Sequence, residues 1–372
     1  MNNDVKIFAM YLPQFHSIPE NDAFWGKGFT DWKSVQQAKP LYKGHEQPKI
    51  PENDNYYDLS LKENVAWQAK IAKEYGIDAF GIYHYWFNNE KNLLTKPAQI
   101  ILDNKDIDID FFFAWDNTSW KRSWSNIEGG NDWAPLIDSK SKNSGPKILI
   151  EYILGSEKDW LNHYNYLKPF FKDSRYKKKD NRPIFVIYHY SDEIAKMCNY
   201  WDSLARDDGF DGLFFIFRYD ESKNIPLDQN VFKYEPNFSG WRKLSFFEKA
   251  SNKLKKIIQK SGTLNRYNYD VIWKKLLKNA KQCTRDNMFH GAFVSYDDTP
   301  RRGRRGIVVE KSSADKFQKY LSELIKISSQ QKKEFIFLTA WNEWGEGAFI
   351  EPDNTHSYSF AKAIKQAHDS LL

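Results

Sequence analysis

Short apolar runs, each bounded by polar or turn residues, recur along the whole chain. Val5–Tyr11, Ala79–Tyr85, Phe111–Trp115 and Ile184–Tyr188 make four. Leu213–Phe217, Val231–Tyr234, Ala292–Tyr296 and Phe335–Trp341 make four more. Their length and content predict buried strands. Between them the apolar spacing changes to that of helices, as over Leu61–Tyr75, which stops at Gly76. The stretches 156–171 and 192–207 read the same way, and 313–328 sets Phe317, Tyr320, Leu321 and Leu324 on one helical face. A further strand-like piece, 147–154, is expected at an edge or in a loop.

Strand and helix alternating about eight times predict an α/β fold, a single (β/α)8 barrel of the TIM type with long βα loops. A doubly wound sheet is the competing fold. It calls for a Gly-rich nucleotide turn after an early strand, and the sequence has none. Residues 240–282 read as a basic helical insertion before the seventh strand. No linker rich in Pro, Gly or Ser divides the 372 residues, so one domain over 1–372 is expected.

In such barrels chemistry sits where strands end. The residues at the expected ends are Tyr11, Gln14 and His16, then His84, Tyr85 and Trp86, then Trp115, Asp116 and Asn117. Later ends supply His189, Arg218, Glu235, Asp297 and Asn342. These polar and aromatic side chains suit a sugar, whose C–H faces stack on rings while its hydroxyls take hydrogen bonds. Each His equally suits a core position satisfied by backbone, and Asp297 equally suits a turn cap.

The last strand runs into Thr339-Ala340-Trp341-Asn342-Glu343-Trp344-Gly345-Glu346-Gly347, followed by Glu351-Pro352-Asp353. Two glutamates three residues apart beside Trp, at the end of a buried strand, are more than packing needs. A helix start explains one of them. Carboxylates shielded from water acquire raised pKa values, and two with different roles are the usual equipment for breaking or remaking a glycosidic bond. Glu343 and Glu346 are therefore the catalytic candidates.

Composition sharpens this reading. Aromatic residues make up 17% of the chain, more than a core needs, and many adjoin polar ones. The net charge of +6 is concentrated in 177–179, 249–260 and Arg301-Arg302-Gly303-Arg304-Arg305. Such runs predict solvated faces. Their functional alternative is attraction to an anionic membrane, a lipid-diphosphate sugar carrier or an acidic glycan. No nucleic-acid-binding motif accompanies the charge, so nucleic acid is not an expected partner. Cys198 and Cys283 stand in no metal-ligand spacing. Neither a signal peptide nor a membrane-spanning segment is read, so a cytoplasmic protein is expected, peripheral to the inner face of the membrane at most.

Several motifs, in order along the chain, carry a family resemblance. They are Tyr11-Leu12-Pro13-Gln14-Phe15-His16, Trp25-Gly26-Lys27-Gly28-Phe29-Thr30-Asp31-Trp32 and Tyr83-His84-Tyr85-Trp86-Phe87. His163-Tyr164-Asn165-Tyr166-Leu167, Asp297-Asp298-Thr299-Pro300-Arg301 and the Trp341–Gly347 motif complete the series. Together they resemble the WbsX-like proteins of bacterial polysaccharide gene clusters, which are related to glycoside hydrolase family 99. The resemblance implies a βα barrel and a glycan substrate, either a polysaccharide or a lipid-linked oligosaccharide, with no metal or other cofactor. It further implies that Glu343 is the base that deprotonates a sugar 2-hydroxyl and Glu346 the acid that protonates the leaving oxygen. Two positions depart from the family pattern: Thr118 stands where a Glu follows Trp-Ala-Asn, and Asp31 where Phe-Thr-Glu-Trp has Glu. Three functions compete: a glycosidase or transglycosidase, a glycosyltransferase, and a non-catalytic glycan-binding barrel.

Overall fold

The computed structural model describes residues 5–121, 148–242 and 264–370. Eight parallel strands close on themselves. They are β1 (Lys6–Tyr11), β2 (Ala79–Asn88), β3 (Asp110–Trp115), β4 (Arg182–Ile187), β5 (Phe214–Arg218), β6 (Asn230–Phe232), β7 (Met288–Phe293) and β8 (Phe335–Thr339). Each pairs in parallel with the next. β8 returns to β1 with Phe337 opposite Phe8, which completes the barrel.

Phenylalanines fill the closed interior. Phe8 lies 5.1 Å from Phe112 and 5.7 Å from Phe337, and Phe232 lies 4.6 Å from Phe337. All four are 0–1% exposed. Gly81 opens the space for them: a Cβ there would stand 2.8 Å from the Phe112 ring. The barrel is therefore a packed plug and not a pore, and any ligand must bind at its mouth.

Helices Lys62–Glu74, Lys96–Asp103, Glu157–Phe171, Asp192–Asp207, Tyr269–Lys281 and Ala314–Gln330 cover the strands. Side chains fix several of their starts: Ser191 accepts from the Ile194 N–H, Asn268 from Val271 and Ser313 from Lys316. The link from β5 to β6 has turns and no helix. Tyr269–Lys281 is the crossover helix from β6 to β7, so the described end of the basic 240–282 stretch is part of the barrel wall. Residues 243–263 of that stretch lie outside the described residues.

β7 begins four residues before the apolar run that marks it, because His290 and Gly291 interrupt the hydrophobic pattern while remaining buried in the strand. The strand-like piece after 147 contributes Ile148–Ile150, antiparallel to Trp120–Lys121 in the loop beyond β3.

Candidate active site

Beyond β8 the chain turns sharply. Asn342–Glu343 pairs antiparallel with Ala348–Phe349, and the Trp344–Glu346 turn joins them. Asn342 and Glu351 tie this hairpin to the barrel, and Trp344 links the two. Asn342 accepts from the Leu12 N–H at 2.7 Å and donates to the Leu12 carbonyl at 3.0 Å. Trp344 stacks on Phe349 at 3.7 Å and donates its indole N–H to Glu351. Glu351 also accepts from Tyr57 at 2.7 Å and Gln68 at 2.6 Å. Burial pushes the Glu351 carboxyl up to about 7 against the pull of these donors.

This support aims both glutamates at one guanidinium. Arg301 donates to Glu343 Oε2 at 3.1 Å and to Glu346 Oε1 at 2.9 Å. Its other edge donates to Asp31, from Nε at 3.1 Å and from Nη2 at 2.9 Å. Asp31 also accepts from the Gly345 N–H at 3.1 Å. A Cβ at 345 would lie 2.5 Å from both Arg301 Nε and an Asp31 oxygen, so the turn tolerates only glycine.

The Arg301 side chain is 9% exposed, Glu343 6% and Glu346 22%. Glu346 is thus the glutamate in contact with solvent. Burial pushes Glu343 up to about 8, and the Glu346 and Asp31 charges add to this while Arg301 opposes it. Burial disfavours the Arg301 charge, but Asp31, Glu343 and Glu346 more than offset that. The Arg301–Arg305 run is therefore not uniformly solvated. Arg302, Arg304 and Arg305 are exposed, whereas Arg301 is turned inward by the short Thr299–Arg302 helix.

Tyrosines surround Glu343 at the mouth. Tyr83 and Tyr234 hydroxyls meet at 3.1 Å, and the Tyr188 ring lies 5.7 Å from Tyr83 and 5.8 Å from Tyr234. The Glu343 charge reaches Tyr83, Tyr85, Tyr188 and Tyr234. Gln14 reaches the Tyr85 hydroxyl at 3.4 Å. Towards β3–β5, Asp116, His189 and Arg218 form a second polar group. Arg218 donates to His189 at 3.2 Å and its charge reaches Asp116, whose pKa burial raises.

The mouth thus brings together Gln14, Tyr85, Asp116, His189, Arg218, Glu343 and Glu346. Other candidates stand elsewhere. Tyr11 bonds Gln68 on the helix layer at 2.6 Å. His84 meets His163 at 2.8 Å, Trp86 stacks on His163 at 4.3 Å, and Trp115 donates to the Trp86 carbonyl. These four face outward between strands and helices. Glu235 is taken up by Ser239, and Asn117 by both backbone groups of His189. Asp297 accepts from His45, Gln47 and Thr299, tying the 45–47 loop to the end of β7. Asn342 is the brace already described. His16 is buried within reach of the Asp58 and Lys96 charges and bonds the Pro13 backbone.

The residues missed as site candidates are Asp31, Arg301, Tyr83, Tyr188 and Tyr234. Asp31, Tyr83 and Arg301 stood in three of the motifs, and that was the available signal.

Known proteins supply the comparison. Residues 7–364 match the family described as glycosyltransferase WbsX. Two curated relatives, both called WxcX and both from Xanthomonas campestris pv. campestris, are 29% identical to the chain over 97% of its length. The chain spans about half the length of these relatives, 49%. Among solved structures, a GH99 endo-alpha-mannosidase from Bacteroides thetaiotaomicron superposes with a TM-score of 0.52 at 14% identity. That match covers 99% of this chain and 96% of the other. A protein described as glycoside hydrolase-like gives 0.59 at 12% identity, covering 99% and 94%. These likenesses show the shared barrel. The match over residues 7–364 shows the family: the chain belongs to the WbsX glycosyltransferase family.

Proposed function

We propose that this protein is a carbohydrate-active enzyme that cleaves or transfers a glycosidic bond with retention, using Glu343 and Glu346. The observation that carries this reading is the pair itself, two glutamates on one arginine at the mouth of a barrel, one shielded and one open to solvent.

In the first step Glu343 takes the proton of the sugar 2-hydroxyl and that oxygen attacks C1. The C1–oxygen bond to the leaving group breaks as Glu346 gives that oxygen a proton. In the second step Glu346 takes the proton of water or an acceptor hydroxyl, which attacks C1 as the bond from C1 to the 2-oxygen breaks. The 2-oxygen then recovers its proton from Glu343. The raised pKa of Glu343 makes its carboxylate a stronger base towards a hydroxyl, and restricts its ionised form to the upper end of the neutral range. The Glu346 exposure suits the group that must meet leaving group and acceptor in turn.

The family's description as glycosyltransferases favours a second reading, in which a sugar hydroxyl and not water is the acceptor. No helix among the described residues is long and apolar enough to cross a membrane. We place the enzyme in the cytoplasm, with the basic surface as its route to a membrane-borne glycan.

Mass spectrometry of the source organism's polysaccharide or lipid-linked oligosaccharide, incubated with the protein, tests both readings. Cleavage without any nucleotide sugar is the expected result. Growth of the product only when a nucleotide sugar is supplied overturns the glycosidase in favour of the transferase.

A further inference from the structure

We infer that Arg218 and His189 form a subsite for one monoanionic substituent of the glycan, the carboxylate of an acidic sugar such as a hexuronate. This rests on reading the barrel mouth as a glycan site. Arg218 stands at the end of β5 in register with Phe232, whose ring belongs to the barrel interior, so its side chain enters the mouth. Its guanidinium lies over the Tyr188 ring, 5.1 Å from the centroid. Its Nε is buried with no partner among the described residues.

The contrast with Arg301 decides the chemistry. Arg301 has three carboxylates within ion-pair distance. Among the described residues Arg218 has none; nearby Asp220 is paired with Arg242 at 3.1 Å. A half-buried guanidinium whose only polar partner among the described residues is an imidazole keeps donors in reserve, and a carboxylate matches that fork. His189 accepts from Arg218 through Nε2, so its proton sits on Nδ1 and the ring is neutral. Burial and then Arg218 hold its pKa down to about 4. With the imidazole neutral, Arg218 is the one cation of the pair at neutral pH, with the Asp116 charge in reach and those of Asp220, Lys223 and Arg242 around His189. That suits a monoanion and disfavours a phosphate dianion. The cluster of Asp31, Glu343 and Glu346 repels any anion from the scissile bond, so the acidic group belongs at the β4–β5 side.

Titration with D-glucuronate, D-galacturonate, D-glucose, D-galactose and glucose 1-phosphate at matched ionic strength, followed by NMR, tests this. Wild type is expected to bind a uronate at least about tenfold tighter than its neutral counterpart. Arg218→Met should abolish that preference and Arg218→Lys should keep part of it. Equal binding of uronate and neutral hexose overturns the subsite. So does a preference that survives Arg218→Met, tighter binding of the phosphate, or no binding by any of the five. If Arg218→Met does not fold, the wild-type order of affinities decides. Glu343→Gln is expected to retain the preference. Uronate preference without cleavage of any glycan would sink the glycosidase reading alone, whereas cleavage without preference would sink the subsite alone.

Discussion

Asp31 grips Arg301 through two hydrogen bonds, Nε to Oδ1 at 3.1 Å and Nη2 to Oδ2 at 2.9 Å. That grip leaves the far edge of the guanidinium for Glu343 and Glu346. Asp31 also holds the Gly345 N–H inside the turn that separates the glutamates. One aspartate thus orients both the arginine and the loop that carries the pair.

The two partners act on Glu343 with opposite sign, since Arg301 favours its ionised form and Asp31 disfavours it. Arg301→Gln is expected to move the limb of the kcat/KM–pH profile that reports Glu343 to more alkaline pH. Asp31→Asn is expected to move it to more acid pH. A merely structural role for both would move neither limb or both the same way. Arg301→Gln should also lower stability by about 3–5 kcal/mol, because it leaves three carboxylates crowded without a cation. Thermal unfolding checks that figure.

Glu343→Gln and Glu346→Gln should each lower turnover by roughly 10²–10⁴-fold while the far-UV circular dichroism stays that of wild type. Gln keeps the shape and the Arg301 contact but cannot exchange a proton. Near-wild-type turnover in either variant would end the assignment.

Stability should fall between pH 6.5 and 8.5. Burial raises Glu343 to about 8 and Glu235 and Glu351 to about 7. A carboxylate raised on folding contributes stability that is full below its unfolded pKa and lost as pH climbs through the folded one. Buried His84, His163 and His290 and half-buried His189 are lowered, so their effect is confined to pH below about 6.5, where the unfolded chain binds their protons. The upper window therefore reports the carboxylates. Melting temperature against pH should show the decline, and Glu351→Gln should make it shallower. An unchanged slope in that variant would mean that Glu351 is ionised throughout.

Strand order and barrel closure were legible because each run is apolar on both faces, as strands between a filled interior and a helix layer must be. The same property hid the parity of the strand ends. Tyr83 and His84 look equally suited to a site, yet Tyr83 faces the mouth and His84 faces His163. Outside its motif, nothing local set Arg301 apart, for a different reason. Hydropathy treats four arginines in five residues alike, and only the fold of Thr299–Arg302 turns one of them towards carboxylates supplied from 31, 343 and 346. The glutamate pair was readable because its spacing and its Trp neighbour are local features.

Trp115 tests that parity directly. As a strand-end aromatic it is a sugar-stacking candidate, but it is 1% exposed, with its ring centre 4.9 Å from that of His163 and 6.4 Å from that of Trp201. Its indole N–H is bound to the Trp86 carbonyl at 2.9 Å. Trp115→Ala should therefore cost about 3–5 kcal/mol of stability through the cavity it leaves. Glycan affinity, measured below the lowered melting temperature, should stay within about twofold of wild type, since a twofold change is only about 0.4 kcal/mol. A variant with wild-type stability and much weaker glycan binding would return Trp115 to the mouth and overturn its placement in the outer layer.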